Sequence, residues 1–390
     1  MAPHRILHLA DLHLGFEHSY LGARAAKRME ETVQTLERVV DWALDSEQRI
    51  AAVLIAGDLF ETHRPDSRLL GRVIQILKKI PASGRALVTV PGNHDEFSYP
   101  DSVYRQQLSS WPGTLVTCPH LERVASFDLG DATCAVHSLA FTSGVSEKRL
   151  AMPENLRAPS ASTKESDKKR KVAIALLHGM LDADPTDRTY RIDSGLLSES
   201  GFAYAALGHI HKPAQSRFGE GIALYPGTLN GKGFDDPGVG ELTVVSFPGG
   251  RPRVEGVPIA VRSIRTVAID THRYESQEQL IDEYERKPEP EAIVRLVLEG
   301  IRSGEWDTDS LKGRLEGSFH HLEIEDRSVS VSPADIERIA SQPTIKGAFV
   351  QLMRERIAAA EAESRAQDCE RLHAALMRGL AAFETMAQSR

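Results

Sequence analysis

The chain is poor in cysteine, and its three residues of that kind, Cys118, Cys134 and Cys369, stand far apart. No CxxC pair occurs, so neither a zinc knuckle nor a disulfide framework is indicated. Such usage suits a reducing cytosol. Long apolar runs are also missing: none approaches the roughly 18 residues that a membrane span needs. The opening MAPHRILHLADLHLG has a short apolar stretch broken by His8 and Asp11, so no signal peptide is read there. The expectation is a soluble, cytoplasmic protein with no membrane partner. Nor is there an excess of basic residues. The net charge is −8, which counts against a simple electrostatic binder of nucleic acid. No internal repeat is visible.

The charge is uneven. Residues 1–260 carry 29 Lys and Arg against 31 Asp and Glu, a balance of −2, and the remainder carries −6. Two bound divalent ions would bring the first part to about +2, so the argument from net charge against nucleic acid is weak. With 390 residues the chain exceeds one ordinary core.

Along the first two-thirds, short β-branched runs alternate with longer amphipathic ones. RILHLA (5–10), AAVLIAG (51–57) and ALVTVPG (86–92) read as strands. Between them, residues 26–45 place Met29, Val33, Leu36, Val40 and Ala43 on one helical stripe. A second helix is expected over 66–80 with Asp66 as its cap. This βαβαβ pattern predicts a mostly parallel, buried sheet. Further strands are expected near 132–137, 172–177, 203–207, 222–225 and 241–247. The charged run 159–172 reads as a solvated loop or, alternatively, as a contact to nucleic-acid backbone. Near residue 258 a second, smaller βαβαβ unit begins, with RKPEPEA (286–292) as a turn-rich join. From about 335 the chain reads as helical, with Leu372, Leu376, Leu380 and Phe383 on one stripe. The expected divisions are 1–258, 261–334 and 335–390.

Ligands of α/β sheets bind beyond the carboxyl ends of the strands. Here those ends carry Asp11 and His13, then Asp58, then Asn93, His94 and Asp95, then His178, then His209 and His211. Taken singly, each has a plainer explanation: an exposed turn histidine, a helix-capping aspartate, a rim histidine. Five successive strand ends doing the same thing at one edge of one sheet do not fit chance placement. Carboxylate, imidazole and amide oxygen together suit manganese, iron or zinc. Glycine before Asp58, Asn93 and His209 lets the backbone turn so that the side chains converge. His8, inside the first strand, reads as a buried, hydrogen-bonded core residue.

The order DxH, GD, GNHD, H, GHxH resembles the calcineurin-like metallophosphoesterases. Within them, HLADLHLG, GDLFETHRPDS, ALGHIHKPAQ and YPGTLNGKGFDDPG look like the SbcD/YhaO-type DNA repair exonucleases. The resemblance implies an α/β fold, a calcineurin-like four-layer α-β-β-α sandwich with a smaller α+β capping domain and a helical C-terminal tail. It implies two divalent metal ions, manganese above all, with iron, zinc or magnesium as alternatives. Asp11, His13, Asp58 and His211 would hold one ion. Asp58, Asn93, His178 and His209 would hold the other, with Asp58 bridging. His94 would be the general acid, and Asp95 would orient it or cap the next helix. Tyr20, Arg64 and Lys212 lie beside the motifs and are candidates for phosphate contact. One departure stands out: where some members carry a histidine three residues after the bridging aspartate, this chain has Glu61, and either the histidine is dispensed with or His63 replaces it. The implied function is a 3′→5′ DNA exonuclease with single-strand endonuclease activity. The implied partners are DNA, a coiled-coil ABC ATPase of the SbcC type that residues 335–390 would dock, and a second copy of the chain as a homodimer. The alternative keeps the site and changes the substrate to a cyclic nucleotide or another small phosphoester. A non-catalytic scaffold would have lost ligands, and none of these positions is lost.

Overall fold

The computed structural model describes residues 4–142, 169–183, 189–331 and 333–388. The charged run expected to form a loop lies mostly outside them, at 159–168. The chain divides into two compact units, Met1–Val261 and Arg262–Arg390. Among the described residues, no helix is long and apolar enough to cross a membrane.

The first unit opens with β1 (Arg5–Leu9), α1 (Ala25–Leu44), β2 (Ile50–Ala56), α2 (Ser67–Ala82) and β3 (Ala86–Val90), the order that the apolar spacing predicts. Val33, Leu36, Val40 and Ala43 of the α1 stripe are buried. Asp66 caps α2 by accepting from the N–H groups of Arg68 and Leu69, which satisfies two of the donors a helix start leaves open. The chain continues through α3 (Val103–Gln106), β4 (Thr114–Leu115), β5 (Glu122–Asp128), β6 (Ala132–Ser138), β7 (Arg170–His178), β8 (Met180–Leu181), β9 (Arg191–Ile192) and α4 (Ser194–Glu199). It then forms β10 (Tyr204–Gly208), β11 (Ala214–Phe218), β12 (Gly221–Tyr225), β13 (Glu241–Ser246) and β14 (Arg253–Pro258).

Twelve of these strands make two six-stranded sheets, the two that the resemblance implies, while the apolar pattern alone suggested one; β8 and β9 pair separately. The first has the order β14-β13-β1-β2-β3-β4 and the second β11-β12-β10-β7-β6-β5. In the first sheet β1, β2, β3 and β4 run parallel, and β13 and β14 pair antiparallel at the other edge; in the second the inner strands are parallel and antiparallel pairs close both edges. A continuous apolar run without strict alternation marks a strand buried on both faces. Runs such as VLIA (53–56) therefore announce burial but not which sheet a strand joins. Ile6, Leu54 and Val88 of the first sheet meet Val136, Ile174 and Ala206 of the second, all without exposure. Each large side chain so buried contributes about 1.5–3 kcal/mol relative to staying in water. The opposite face of the first sheet packs on α1 and α2 through Val53, Ile55, Leu36 and Leu77. The opposite face of the second, Phe218 of β11 included, packs on Leu197 of α4 and on Phe202. The result is the four-layer α-β-β-α arrangement.

The second unit holds a parallel sheet of β15 (Ile264–Asp270), β16 (Glu289–Glu299) and β18 (Phe319–Asp326), order β15-β16-β18, with α5 (Gln277–Glu285) and α6 (Thr308–Leu315) packed on it. The turn-rich join is shorter than expected, because β16 already begins at Glu289. The pairing is irregular between Glu289 and Ile293. That accommodates Pro290, which has no N–H to give a regular ladder. Strands β17 (Ile301–Ser303) and β19 (Val329–Val331) pair, and α7 (Pro333–Ala340), α8 (Ile345–Ala362) and α9 (Ala366–Gln388) share one core with them. Leu376 and Leu380 of the α9 stripe lie in that core.

Candidate metal centre

The donor residues stand where the strands of both sheets end. Asp11 and His13 follow β1, Asp58 follows β2, and Asn93 and His94 follow β3. His178 closes β7, and His209 and His211 follow β10. Three ends thus come from the first sheet and two from the second, which corrects the picture of one edge of one sheet. The β1 and β2 ladder continues past its strands through Asp11 N–H to Gly57 O, His13 N–H to Asp58 O and Leu14 N–H to Leu59 O. Across the sheets, the His209 N–H donates to the Asp11 carboxylate at 3.0 Å.

Forcing side chains to converge strains the backbone. Asp11, His13, Asp58 and His209 have φ of 52°, 45°, 49° and 105°, a region that residues with a Cβ rarely adopt. Such outliers cost on the order of 1–3 kcal/mol each and gather at functional sites. The glycines play a different part from the one expected. Only Gly57 of the three turns with positive φ. At Gly208 a Cβ would lie 1.8 Å from Ala56 O, and at Gly92 one would lie 2.2 Å from Asp58 Oδ1. They are needed because backbone and ligands approach too closely for any side chain.

Asp58 sits between two groups of donors. Its Oδ2 is 3.8 Å from His13 Nε2 and 3.5 Å from His178 Nε2. On one side, candidate ligand atoms of Asp11, His13 and His211 lie within 4.8 Å of one another. On the other, Asn93 Oδ1 is 2.9 Å from both His178 Nε2 and His209 Nδ1. Asp11, Asp58 and His178 also converge.

The outer ring nitrogens decide what faces inward. His178 Nδ1–H donates to Ala56 O at 2.9 Å, since a carbonyl can only accept. His211 Nδ1 faces Asp236 Oδ2 at 2.6 Å and His13 Nδ1 faces Glu61 Oε2 at 2.9 Å. A proton on each outer nitrogen leaves the Nε2 lone pairs pointing at each other, with His13 and His211 Nε2 only 3.0 Å apart. Two facing lone pairs repel unless a cation lies with them, and carboxylate–histidine pairing is how metal-binding imidazoles are oriented. The residues present therefore fit divalent ions.

The electrostatics agree. Burial holds His13 and His178 below the usual histidine range, and burial with the neighbouring His178 brings His209 down to about 4. Neutral imidazole is the form that binds a metal. Burial and the Asp58 charge push Asp11 well above the usual carboxylate range. Burial also works against Asp58, but the neighbouring imidazoles of His178, His13 and His94 and the His94 N–H outweigh it and leave that group low. A buried carboxyl whose ionisation is opposed by a neighbouring carboxylate is stabilised in its charged form by a cation.

His94 lies at the rim. Its backbone N–H donates to Asp58 Oδ1 at 2.9 Å and its Nδ1–H to Glu61 O at 3.1 Å, while its side chain stays a third exposed. Nε2 is thus left for a ligand. Asp95 neither touches the His94 ring nor caps a helix. Fully buried, it accepts from the N–H groups of Phe60 and Gly92 and from the Tyr104 hydroxyl. It ties the β2 and β3 loops together.

Other expected residues are not drawn in. His63 and Arg64 turn to Asp101 instead. Tyr20 packs toward Phe234, and Lys212 is exposed. Three residues went unread in the sequence: Glu61, Lys232 and Asp236. Lys232 Nζ is 2.9 Å from Glu61 Oε2 and lies 4.4 Å from the Phe16 ring centroid. Lys232 and Asp236 come from GKGFDDPG, a segment whose spacing carries no metal-ligand pattern of its own. In the sequence Glu61 marks only a departure from the histidine that some members carry there.

A family model described as calcineurin-like phosphoesterase matches residues 4–213, more than half of the chain. The chain is 25% identical over 309 residues to the DNA double-strand break repair protein Mre11 of Sulfurisphaera tokodaii, covering 77% of this chain and 74% of that one. Against the protein of the same name from Methanopyrus kandleri the identity is 25% over 359 residues, 86% of this chain and 75% of the other. The uncharacterized metallophosphoesterase YhaO of Bacillus subtilis is 23% identical over 336 residues, 81% of this chain and 76% of that protein. The chain belongs to the calcineurin-like phosphoesterases, and is a metal-dependent hydrolase of phosphoester bonds.

Proposed function

We propose that this chain is a DNA repair nuclease that holds two divalent ions, manganese in the first place, and cleaves phosphodiester bonds as a 3′→5′ exonuclease with single-strand endonuclease activity. The observation that carries this reading is the position of Asp58 between two sets of donors, with His94 beside them. One ion is assigned to Asp11, His13, Asp58 and His211, the other to Asp58, Asn93, His178 and His209. The similarity to proteins named for double-strand break repair supports DNA as the substrate.

When bound, a pair of divalent ions supplies Lewis acidity to a phosphodiester. The chain's own residues do the rest. Glu61 and Asp236 fix the rings of His13 and His211. With its Nδ1–H committed to the Glu61 carbonyl, His94 holds at Nε2 the proton that the leaving oxygen takes, as a general acid. Residues 261–334 orient the DNA, and residues 335–390 dock an SbcC-type ATPase. The enzyme works in the cytoplasm as a homodimer.

The test is manganese-dependent digestion of end-labelled single- and double-stranded DNA, beside hydrolysis of bis-p-nitrophenyl phosphate, with His94→Ala as control. Shortening of DNA by the unaltered chain alone is expected. Hydrolysis of the small diester with DNA left whole would turn the assignment to a cyclic nucleotide or other small phosphoester.

A further inference from the structure

Among the described residues, four large hydrophobic side chains are exposed, and Tyr99 is the aromatic one, at 42%. A lone exposed tyrosine needs no explanation. Tyr99, however, is not alone. Its ring lies on the His63 imidazole with centroids 4.2 Å apart and planes 28° from parallel. The imidazole pairs inside the metal centre meet edge-on instead. A near-parallel stack covers one face of the tyrosine, and 42% of the residue still meets solvent.

The support under the ring is held on several sides. His63 Nε2 is 3.7 Å from Asp101 Oδ1, and the other oxygen of that carboxylate takes the Arg64 guanidinium at 3.2 Å. The Val103 N–H donates to His63 O at 2.8 Å, and the Ser102 N–H to Tyr99 O at 3.0 Å. Two loops are thereby closed onto each other, and they are the loops of the metal centre. His63 follows Glu61 by two residues, and Tyr99 follows His94 by five.

We propose that the Tyr99–His63 stack is a platform for an unpaired nucleobase of single-stranded nucleic acid, with Arg64 turned to an adjoining backbone phosphate. The assignment rests on the nuclease reading above and adds the base as the group recognised. Every base has a π face, so a stacking platform accepts any sequence but demands an unpaired base. The ring is positioned before the ligand arrives, so little side-chain freedom is lost on binding. Arg64 has a side chain 69% exposed and so is open to a phosphate from solvent, while Asp101 ties it to the carboxylate that also faces His63.

Stacking of one base is worth roughly five- to a hundredfold in affinity. The experiment uses a single-stranded oligonucleotide whose 3′-terminal base is 2-aminopurine, a fluorophore quenched by stacking, with the manganese-loaded full chain carrying His94→Ala to prevent turnover. Initial rates of the His94-containing chain on the same oligonucleotide give KM and kcat. Tyr99→Ala is expected to remove the quench and raise KM at least fivefold with little change in kcat, and Tyr99→Trp to restore both. Leu108→Ala, an exposed apolar side chain, is expected to match the parent protein. A Tyr99→Ala chain with parental quench and KM would overturn the platform alone. No cleavage and no quench by the parent proteins would overturn the nuclease reading and the platform with it.

Discussion

The Glu61 carboxylate, three residues after Asp58, stands 2.9 Å from His13 Nδ1. It is ionised deep into acid: burial opposes this, but hydrogen bonds to His13 and Lys232 bring it down to about 2. Removing an outer partner of this kind typically weakens metal binding ten- to a hundredfold. Glu61→Leu is therefore expected to lower manganese affinity by about tenfold or more at one of the two ions. Calorimetric titration of the metal-free protein would read this directly, and two parental affinities would show that the contact carries nothing.

Asp58 and His94 divide binding from turnover. Asp58→Ala takes away the group between both sets of donors, so metal occupancy and hydrolysis should fall together. His94→Ala leaves those donors in place, so metal content should hold while turnover drops about a hundredfold or more, the scale of a lost general acid. Elemental analysis beside hydrolysis of bis-p-nitrophenyl phosphate separates the two. An emptied His94→Ala protein would mean that His94 is itself a ligand.

Asp95 is held against its own chemistry. Burial and the nearby Asp58 charge push its carboxyl up to about 7, despite the three donors that it satisfies. Asp95→Ala would leave buried N–H groups at Phe60 and Gly92 without an acceptor. A stranded buried polar group costs about 1–3 kcal/mol, so a loss of about 2–4 kcal/mol is expected for the substitution. Tyr104→Phe removes one donor only and should cost about 1 kcal/mol. Urea unfolding of the metal-free protein measures both, and equal stability for Asp95→Ala would refute the tie between the loops.

Two glycines predict opposite outcomes. A methyl at Gly208 would lie 1.8 Å from the Ala56 carbonyl oxygen, so Gly208→Ala must push the sheets apart and should destabilise by about 3 kcal/mol or more, as severe overpacking does. A methyl at Gly71, inside α2, meets nothing within 4 Å. Gly71→Ala should stabilise by about 0.5–1 kcal/mol through helix propensity. Thermal melts of the pair would settle it, and a tolerant Gly208 would show that the sheets part there at little cost.

The sequence was most readable where one pattern had one physical cause. The α1 stripe, the Asp66 cap and the strand-end donors each follow from local spacing, and Asp11 through His211 assemble as their order suggests. His8, foreseen as a core residue, is buried against the Tyr204 hydroxyl at 2.9 Å. Sheet membership was harder, because β1 and β10 are equally apolar and nothing local says which neighbours they take. The exposed edge strand β11, AQSRF, has no apolar alternation at all and is specified by pairing with β12. Glu61, Lys232 and Asp236 stayed hidden because an orienting residue matters only through its distance to another side chain, and Lys232 is 171 residues from Glu61.

The donors are split between sheets, with Asp11, His13, Asp58 and Asn93 on one and His178, His209 and His211 on the other. Anything that grips both halves at once draws its grip from their being closed. By linkage, each ion would add its binding free energy to the closure itself, about 2.7 kcal/mol at a concentration one hundred times its dissociation constant. Amide protons buried between the sheets, at Leu54 or Ile174, should then exchange more slowly as metal is added, although no ion touches them. The centre would thus act as a rivet through the middle of the sandwich, and a chelator would loosen the whole first unit from within.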